Sequence, residues 1–200
     1  MEQIFDCKDT YILEDDFVLL RPLQKEDHEF LLPFALNEPD TWKYSLVTAA
    51  GSDGLSYYMQ LALDACAEGK EYPFIVFDKT KNTYAGSTRF YDINVPYKTL
   101  QLGYTWYGKD FQGTGLNKHC KYLLLSFAFE NIGMERVEFR ADNNNARSIA
   151  AMKSIGCKVD GVLRSNMPKR EGGRRDSIVL SVLKDEWFAG IKEMLRNKLK

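Results

Sequence analysis

The segment with the clearest chemical signature joins a strand pattern to a glycine turn and then to a long helical pattern. Residues 102–106 read as a strand, and residues 112–116, Gln-Gly-Thr-Gly-Leu, open a stretch of helical period. Glycines let a backbone approach a ligand closely, and the first N–H groups of a helix favour an anion. The turn therefore predicts phosphate binding, although glycines that serve only the strand-to-helix connection explain it equally well.

Two better-known glycine signatures do not fit this turn. A Walker A loop has Lys-Ser/Thr after its last glycine, but Thr114 and Gly115 follow Gly113 here. A dinucleotide fingerprint needs a third glycine, where this chain has Lys118, and it follows the first strand of a parallel sheet. A nucleotide-binding protein of either class is therefore disfavoured.

The elements that must position the turn follow from the apolar periodicity. Short apolar runs predict seven strands, and 3.6-residue periods predict four helices between them. The expected strands are 17–22, 74–77, 84–91, 100–106, 136–141, 159–163 and 177–183, and the expected helices are 25–35, 55–68, 115–131 and 145–155, with a further possible helix over 185–200. The three successive strands after the second helix predict an antiparallel meander, so the fold class is α+β with a mixed central sheet.

Composition limits the functional classes. The chain has 200 residues, 44% of them hydrophobic, and a formal net charge of -1. It contains no repeat or linker-like stretch, so we expect one domain over residues 1–200. Without a basic excess a nucleic-acid partner is not expected. The longest apolar stretch, residues 122–129, is too short to cross a bilayer, and the first residues do not resemble a signal peptide. The sequence therefore predicts a cytoplasmic protein without a membrane partner, as a monomer or a homodimer.

Metal and disulfide chemistry are not predicted. The four cysteines lie far apart with no Cys-x-x-Cys pair, which favours reduced thiols. Neither His28 nor His119 has a second histidine or cysteine at ligand spacing.

Taken with its surroundings, the glycine turn resembles the acetyl-CoA pyrophosphate loop of the GNAT N-acetyltransferase superfamily, Gln/Arg-x-x-Gly-x-Gly/Ala. Gln112 and Gly115 match the first and fourth positions, and Asn117 stands where Gly or Ala is usual. Downstream, residues 134–140 resemble the family's fifth strand, residues 142–148 its Asn-x-x-Ser helix entry, and residues 155–157 its Leu-Gly-Phe. Residues 161–164, 173–176 and 185–187 resemble the RimJ/RimL branch. The resemblance covers about residues 10–188.

The resemblance implies a fold and an activity. The fold is a mixed, mostly antiparallel central sheet flanked by helices, with its fourth and fifth strands (100–106 and 136–141) splayed around pantetheine. The activity is transfer of the acetyl group of acetyl-CoA, without a metal, to a primary amine by direct attack in a ternary complex. The amine would be a protein or peptide N-terminus or a small amine. A non-catalytic acyl-CoA-binding module is the alternative.

The resemblance also implies which residues contact acetyl-CoA. They lie on the fourth strand, in the glycine loop and at the start of the helix after the fifth strand: Tyr104, Thr105, Trp106, Gln112, Gly113, Thr114, Gly115, Leu116, Asn117, Asn145 and Ser148.

The catalytic groups are harder to assign. Ser148 is the candidate acid, because Met152 stands where much of the superfamily has a proton-donating tyrosine. Hydrogen bonding within the helix N-terminus explains Ser148 as well, and N-capping explains Asn145. The fourth strand contains no carboxylate, so Asp92 and Glu138 are the candidate bases, or else solvated surface charges.

Two further groups of side chains lie in regions that the resemblance places beside the acceptor. A basic cluster in the last hairpin suggests a substrate with acidic groups or a solvated hairpin tip: Lys169, Arg170, Arg174 and Arg175. An aromatic set near the first two helices is expected to be mostly core, with one or two pocket residues: Trp42, Tyr44, Tyr57 and Tyr58.

Overall fold

One eight-stranded sheet runs through the computed structural model, which describes residues 5–199. The strands are β1 (Leu13–Glu14), β2 (Val18–Pro22), β3 (Tyr72–Asp78), β4 (Thr83–Asn94), β5 (Thr99–Tyr107), β6 (Arg136–Asp142), β7 (Lys158–Pro168) and β8 (Arg174–Leu183). Their order across the sheet is β1-β2-β3-β4-β5-β6-β8-β7. The predicted meander over β3, β4 and β5 is confirmed.

Helices cover both faces of the sheet. They are α1 (His28–Asn37), α2 (Gly51–Ala67), α3 (Leu116–Ser126), α4 (Ala146–Ser154), α5 (Lys184–Glu186) and α6 (Lys192–Arg196). Short 3-10 turns occupy Lys25–Asp27, Pro39–Trp42 and Lys109–Phe111, and π turns occupy Phe127–Asn131 and Trp187–Ile191. The possible helix over 185–200 is present as a helical segment over residues 184–196, with a kink at Gly190, and Lys200 lies outside the described residues.

Most predicted boundaries are correct to within a few residues, with three physical differences. A two-residue strand, β1, pairs with β2 and was not predicted, so the predicted fourth and fifth strands are β5 and β6. The predicted helix over 25–35 begins as a 3-10 turn, because the Asp27 carboxylate accepts the Gln24 N–H at 2.8 Å and fixes that turn. The long helix over 115–131 changes to a π turn after Ser126.

The strands β5 and β6 separate as they leave their first residues. They are parallel and pair only through Thr99–Arg136, Leu100–Val137 and Gln101–Glu138. All other neighbouring pairs in the sheet are antiparallel. Beyond Gln101 the two edges diverge, which agrees with the splayed pair that the family resemblance implies.

The two faces of the sheet carry separate cores. One core packs α3 and α4 against residues such as Leu102, Val137 and Phe139. The other packs α1 and α2 against Ile75 and Trp106. Because side chains alternate along a strand, Gln101 and Glu138 face the α1–α2 side, whereas Leu100 and Phe139 face the α3–α4 side. The two faces of the gap between the diverging strands β5 and β6 (the strand gap) are thus lined by different side chains.

Candidate active site

The β5 edge of the strand gap contains a β-bulge. Ser87 pairs with Trp106 and Arg89 with Gly103, so Thr88 alone opposes both Tyr104 and Thr105. Tyr104 accordingly takes a positive φ of 49°, and the Tyr58 hydroxyl donates to its carbonyl at 3.2 Å. A bulge turns backbone groups out of the ladder, and bulges are frequent beside active sites.

The glycine loop presents free backbone donors at the N-terminus of α3. Gly113 and Gly115 have φ of 76° and 95°, and Gly115 is the N-cap residue of the helix. Within residues 5–199, the N–H groups of Gly113, Thr114 and Gly115 have no hydrogen-bond acceptor. A Cβ at either glycine would meet no atom within 4 Å. The loop is therefore an open cradle of donors at a positive helix end, as a pyrophosphate requires.

Side chains of the loop brace it from behind. Gln112 Nε2 donates to the Tyr107 carbonyl at 2.8 Å, and Arg147 Nη1 donates to Gln112 Oε1 at 2.6 Å. Thr114 Oγ1 donates to the Phe111 carbonyl at 2.8 Å. Both polar side chains are thus occupied within the protein, so the backbone groups of these residues are what remains available to a ligand.

Other loop residues divide between the core and the surface. The Leu116 side chain is buried in the α3–α4 core, so only its backbone can face a ligand. The side chain of Asn117 is half-buried one residue further along the helix.

The start of α4 contains both predicted residues of the helix entry. Asn145 is the N-cap residue of α4, and its Oδ1 accepts the Ser148 N–H at 3.2 Å. The capping role of Asn145 is therefore present. Ser148 is half-buried, and its hydroxyl has no hydrogen-bond partner among the described residues. Met152 is buried in the core one turn further on.

The two candidate bases lie near each other, on the α1–α2 face where the gap opens. Gln101 is the last β5 residue paired with β6, and its partner is Glu138. Gln101 Nε2 donates to Asp92 Oδ2 at 2.8 Å, and Asp92 is exposed. Both Glu138 oxygens are engaged by arginines, Oε1 by Arg140 at 2.7 Å and Oε2 by Arg136 at 3.0 Å.

A buried arginine and three tyrosines surround the bulge on the same face. The Arg89 guanidinium stacks on the rings of Tyr58 and Tyr104 at 4.7 and 4.1 Å and pairs with Glu71 at 2.7 Å. Tyr91 lies over Gly103, where a Cβ would come within 2.9 Å of its ring. Burial raises the pKa of Tyr91 above its usual value. On this face the bulge is therefore packed against aromatic rings and a buried arginine.

The α3–α4 face of the gap holds a buried lysine that the sequence analysis did not single out. Lys121 Nζ donates to Thr105 Oγ1 at 2.7 Å and lies 3.5 Å from Thr88 Oγ1. Burial lowers the pKa of Lys121 to about 8. Its one sequence signal is its position in α3 beside Cys120, Leu124 and Leu125, all of which are core residues.

An open cleft lies between the hairpin β7–β8 and the loop after α1. Arg170 Nη2 donates to the Trp42 carbonyl and Arg175 Nη1 to the Tyr44 carbonyl, each at 3.2 Å. The cleft is lined by these two arginines, Lys43, Tyr44, Ser45, Leu46, Asp142, Asn144, Lys169 and Glu171. Arg174 instead bonds Ser165 within the hairpin.

Of the four predicted aromatics, only Tyr44 lines this cleft. Trp42 and Tyr58 are buried in the α1–α2 core, whereas the Tyr57 side chain is 61% exposed. Two of the four are therefore core residues and two are exposed, fewer core residues than expected. Arg170 and Arg175 of the basic cluster are therefore braces of the cleft wall, and their guanidinium groups hold the loop that carries Tyr44.

The described residues also bear on metal, disulfide and membrane features. In the described part of the chain, no group of three or more His, Cys, Asp or Glu could hold a metal ion. All four cysteines are free thiols. No helix among residues 5–199 is long and apolar enough to cross a membrane.

Comparison with known proteins agrees with this geometry. The family model of the acetyltransferase (GNAT) domain matches residues 18–158. An uncharacterized N-acetyltransferase, p20 of Bacillus licheniformis, is 25% identical over 169 residues, or 84% of this chain and 93% of the relative. A GCN5-related N-acetyltransferase of Brucella melitensis shares the fold with a TM-score of 0.87 at 22% identity, covering 96% of this chain and 86% of that one.

Two more distant structures share the fold at 16% identity. RimJ of Mycobacterium smegmatis, solved in complex with CoA-disulfide, has a TM-score of 0.76 and covers 94% of this chain and 93% of its own. A ribosomal-protein-S5-alanine acetyltransferase of Vibrio fischeri has a TM-score of 0.71 and covers 88% of this chain and 98% of its own. Because the family model spans the sheet from β2 to β6, the glycine loop and both helices that follow the loop, the chain belongs to the GNAT family of N-acetyltransferases.

Proposed function

We propose that this chain transfers the acetyl group of acetyl-CoA to the primary amine of a protein or peptide N-terminus or of a small amine. The transfer is direct, with both substrates bound at once. One observation carries the proposal: the loop with three free N–H groups stands at the end of β5, beside the gap where β5 leaves β6. An anion cradle next to an open strand edge suits a cofactor with a pyrophosphate and an amide-rich arm.

The chain's residues fit acetyl-CoA as follows. The backbone of residues 113–117 would bind the pyrophosphate, as the open space beside Gly113 and Gly115 allows. The diverging edges of β5 and β6 would take pantetheine as an added strand. Backbone N–H groups near Thr105 and Trp106 would polarise the thioester carbonyl, where negative charge grows during attack. Bound acetyl-CoA supplies an activated acetyl group.

The attacking amine must lose a proton, and Asp92 is the better placed of the two candidate bases. Both Glu138 oxygens already accept arginine N–H groups, whereas Asp92 Oδ1 has no partner among the described residues. Asp92 is also exposed, so a water molecule can link it to an amine on the α1–α2 face. We assign Asp92 as the base and Glu138 as a secondary candidate that organises Arg136 and Arg140.

On the other face, Ser148 is the candidate acid for the leaving thiolate. Its hydroxyl is half-buried without a partner in the described chain, and α4 covers the α3–α4 face. Asn145 orients it, because the Asn145 cap fixes the Ser148 backbone. The two groups then act on opposite faces of the sheet. The Asp92 carboxylate accepts the proton of the amine on one face, and the Ser148 hydroxyl protonates the leaving sulfur on the other.

The acceptor would enter through the cleft between the β7–β8 hairpin and residues 43–46. This cleft is open and is lined by side chains of both charge signs, which could pair with charged groups of a peptide. The related fold of an acetyltransferase that acts on a ribosomal protein supports a protein N-terminus as the acceptor.

Calorimetric titration with acetyl-CoA, with NAD and ATP as controls, tests the cofactor. We expect micromolar binding of acetyl-CoA alone. A panel of peptides with free or blocked N-termini, together with small amines, then tests transfer by release of CoA thiol. Release with free N-termini and none with blocked ones supports the proposal. Tight CoA binding with no transfer to any amine would instead indicate a non-catalytic acyl-CoA-binding module, and no CoA binding would refute the assigned loop.

A further inference from the structure

Lys121 is a buried cation with no carboxylate beside it. The residue is 5% exposed, and no Asp or Glu oxygen among residues 5–199 lies within ion-pair distance of its Nζ. Removing an ammonium from water is costly unless another charge or several hydrogen bonds compensate. A leucine or methionine would fill this core position without that cost. A charge kept here at a cost to stability suggests a role in the reaction.

The ammonium lies under the strand gap. Its contacts come from three neighbouring strands: Thr88 of β4, Thr105 of β5, and Phe139 of β6, whose ring centroid is 6.0 Å from Nζ. Thr105 stands four residues beyond Gln101, the last β5 residue paired with β6, and Phe139 follows its partner Glu138. Lys121 therefore faces the region where the two strands have already separated.

The hydrogen bonds have a defined direction. An ammonium can only donate, so Thr105 Oγ1 accepts from Lys121. Thr105 and Thr88 share a further 2.7 Å bond in which either hydroxyl can donate. When Thr88 donates, the only acceptor of the Thr105 hydroxyl among residues 5–199 is the Gly103 carbonyl at 3.5 Å, and this long bond leaves the proton able to turn into the gap. The positive charge behind Thr105 makes its hydroxyl a stronger donor.

We propose that Lys121 is a positioning residue of the acetyl-transfer reaction, which acts through the Thr105 hydroxyl to stabilise the sulfur that leaves acetyl-CoA. The inference rests on the proposed function above. As the C–N bond forms and the C–S bond breaks, the electron pair of the C–S bond stays on sulfur. The Thr105 hydroxyl donates its hydrogen bond to that sulfur, and the Lys121 ammonium offsets the new negative charge until Ser148, the candidate acid, protonates the thiolate. The proton lost by the amine goes to the base on the opposite face.

The surrounding groups leave this charge uncompensated. The titratable neighbours are Cys120 on the same helix and Cys157 after α4, and burial raises the pKa of each thiol to about 12. Both thiols are therefore neutral near pH 7. The lowered pKa of Lys121, about 8, still leaves most of the ammonium protonated there.

The test measures the pKa of the CoA thiol in the bound state. CoA binding is titrated by calorimetry and by thiolate ultraviolet absorbance from pH 6.5 to 9.5, with acetyl-CoA, which has no free thiol, in parallel. We expect the wild-type protein to lower the pKa of the bound CoA thiol by about one unit relative to free CoA. This shift means that the protein binds the thiolate form about tenfold more tightly than the neutral thiol. Lys121→Met and Thr105→Val should each return it to the value of free CoA, and Thr105→Ser should keep it low. Lys153→Met removes an exposed lysine from α4 and should behave as wild type.

The outcomes distinguish the role of Lys121 from the proposed acetyltransferase function. Acetyl-CoA affinity should stay within about threefold in all five proteins, because the acetylated sulfur carries no charge. An unchanged bound thiol pKa in Lys121→Met and Thr105→Val, with acetyl-CoA binding intact, would overturn the role of Lys121 alone. Failure of the wild-type protein to bind acetyl-CoA would overturn the proposed function and this inference together.

Discussion

Arg147 Nη1 donates a 2.6 Å hydrogen bond to Gln112 Oε1, which ties the first turn of α4 to the glycine loop. Gln112 in turn donates to the Tyr107 carbonyl at the end of β5. Three elements that are separate in sequence therefore meet at one side chain. The loop is held from behind while its N–H groups stay free in front.

This brace predicts a loss of cofactor affinity when Arg147 is removed. Arg147→Ala should weaken acetyl-CoA binding about fivefold to tenfold, because a charge-assisted bond worth ~1–1.5 kcal/mol holds the loop. Calorimetric titration measures it. Lys153→Ala removes a cation from the other end of the same helix and should leave affinity within a factor of two. Equal affinities for both variants would show that the loop needs no brace.

The open cradle predicts a specific effect of Gly115→Val. The substitution strains a residue with φ of 95° and places a side chain where the pyrophosphate would bind, so acetyl-CoA binding should disappear. Gly69→Val is the control, because Gly69 also has positive φ, 73°, and open space around its Cβ, but it follows α2. Both should lose ~1–3 kcal/mol of stability. Acetyl-CoA affinity that is unchanged in folded Gly115→Val would refute the loop assignment.

Asn145 has two predicted roles that substitutions can separate. Asn145→Ala removes the N-cap and should cost ~1 kcal/mol of unfolding free energy. Asn145→Asp keeps a capping oxygen but loses the amide donor, so its stability should match wild type. If the amide also contacts the cofactor, both variants should bind acetyl-CoA more weakly, by roughly fivefold. If both variants bind acetyl-CoA with wild-type affinity, the only role of Asn145 is to cap α4.

Features with a local sequence signal could be predicted. Apolar periodicity and glycine spacing predict the order of strand, glycine turn and helix over residues 100–126. The structure has these elements in that order, with nearly the expected boundaries. The N-cap at Asn145 follows from a short polar side chain before a helical pattern. The divergence of β5 and β6 came from the resemblance, since no period reveals where a parallel ladder stops.

Features that depend on distant contacts could not be predicted. Arg147 meets Gln112 across 35 positions, and Lys121 meets Thr88 across 33. A lysine within a helix normally reaches solvent, so the position of Lys121 beside core residues of α3 is not enough to predict its burial. The strand β1 has only two residues and owes its pairing to β2. The same reason applies to Arg170 and Arg175, which a sequence pattern places at a hairpin tip but which cross to another loop.

The acceptor cleft predicts different effects for two adjacent arginines. Arg175 is buried and holds the Tyr44 carbonyl, whereas Arg174 bonds Ser165 within its own hairpin. Arg175→Ala should loosen the cleft wall and raise the KM for an acceptor peptide at least fivefold, with acetyl-CoA affinity unchanged. Arg174→Ala should leave both constants near wild type. Steady-state kinetics with the best acceptor peptide of the panel measures the KM of each variant. Equal KM values for Arg174→Ala and Arg175→Ala would show that the cleft does not bind the acceptor.

The buried ammonium of Lys121 predicts a pH-dependent gain in stability when it is removed. Burial lowers the pKa of Lys121 in the folded state from 10.5 to about 8. Below pH 8 both folded and unfolded chains bind this proton, so the full cost of burying the charge is present. Between pH 8 and 10.5 the unfolded chain binds more protons, so the stability of the wild-type protein rises with pH.

Lys121→Met has no such proton, and its apolar side chain suits the core around Leu124 and Leu125. At pH 7 we expect it to be more stable than wild type by up to about 3 kcal/mol, the free energy that corresponds to the pKa shift. By pH 10 the difference should shrink to less than about 1 kcal/mol. Urea unfolding at both pH values measures it, with Lys153→Met as the exposed control that should show no pH-dependent difference. A Lys121→Met variant that is less stable at pH 7, by the same amount at both pH values, would mean that the lysine supports the fold through its hydrogen bonds to Thr105 and Thr88. A stabilising substitution that also restores the thiol pKa of bound CoA would show that the charge costs stability and serves the reaction.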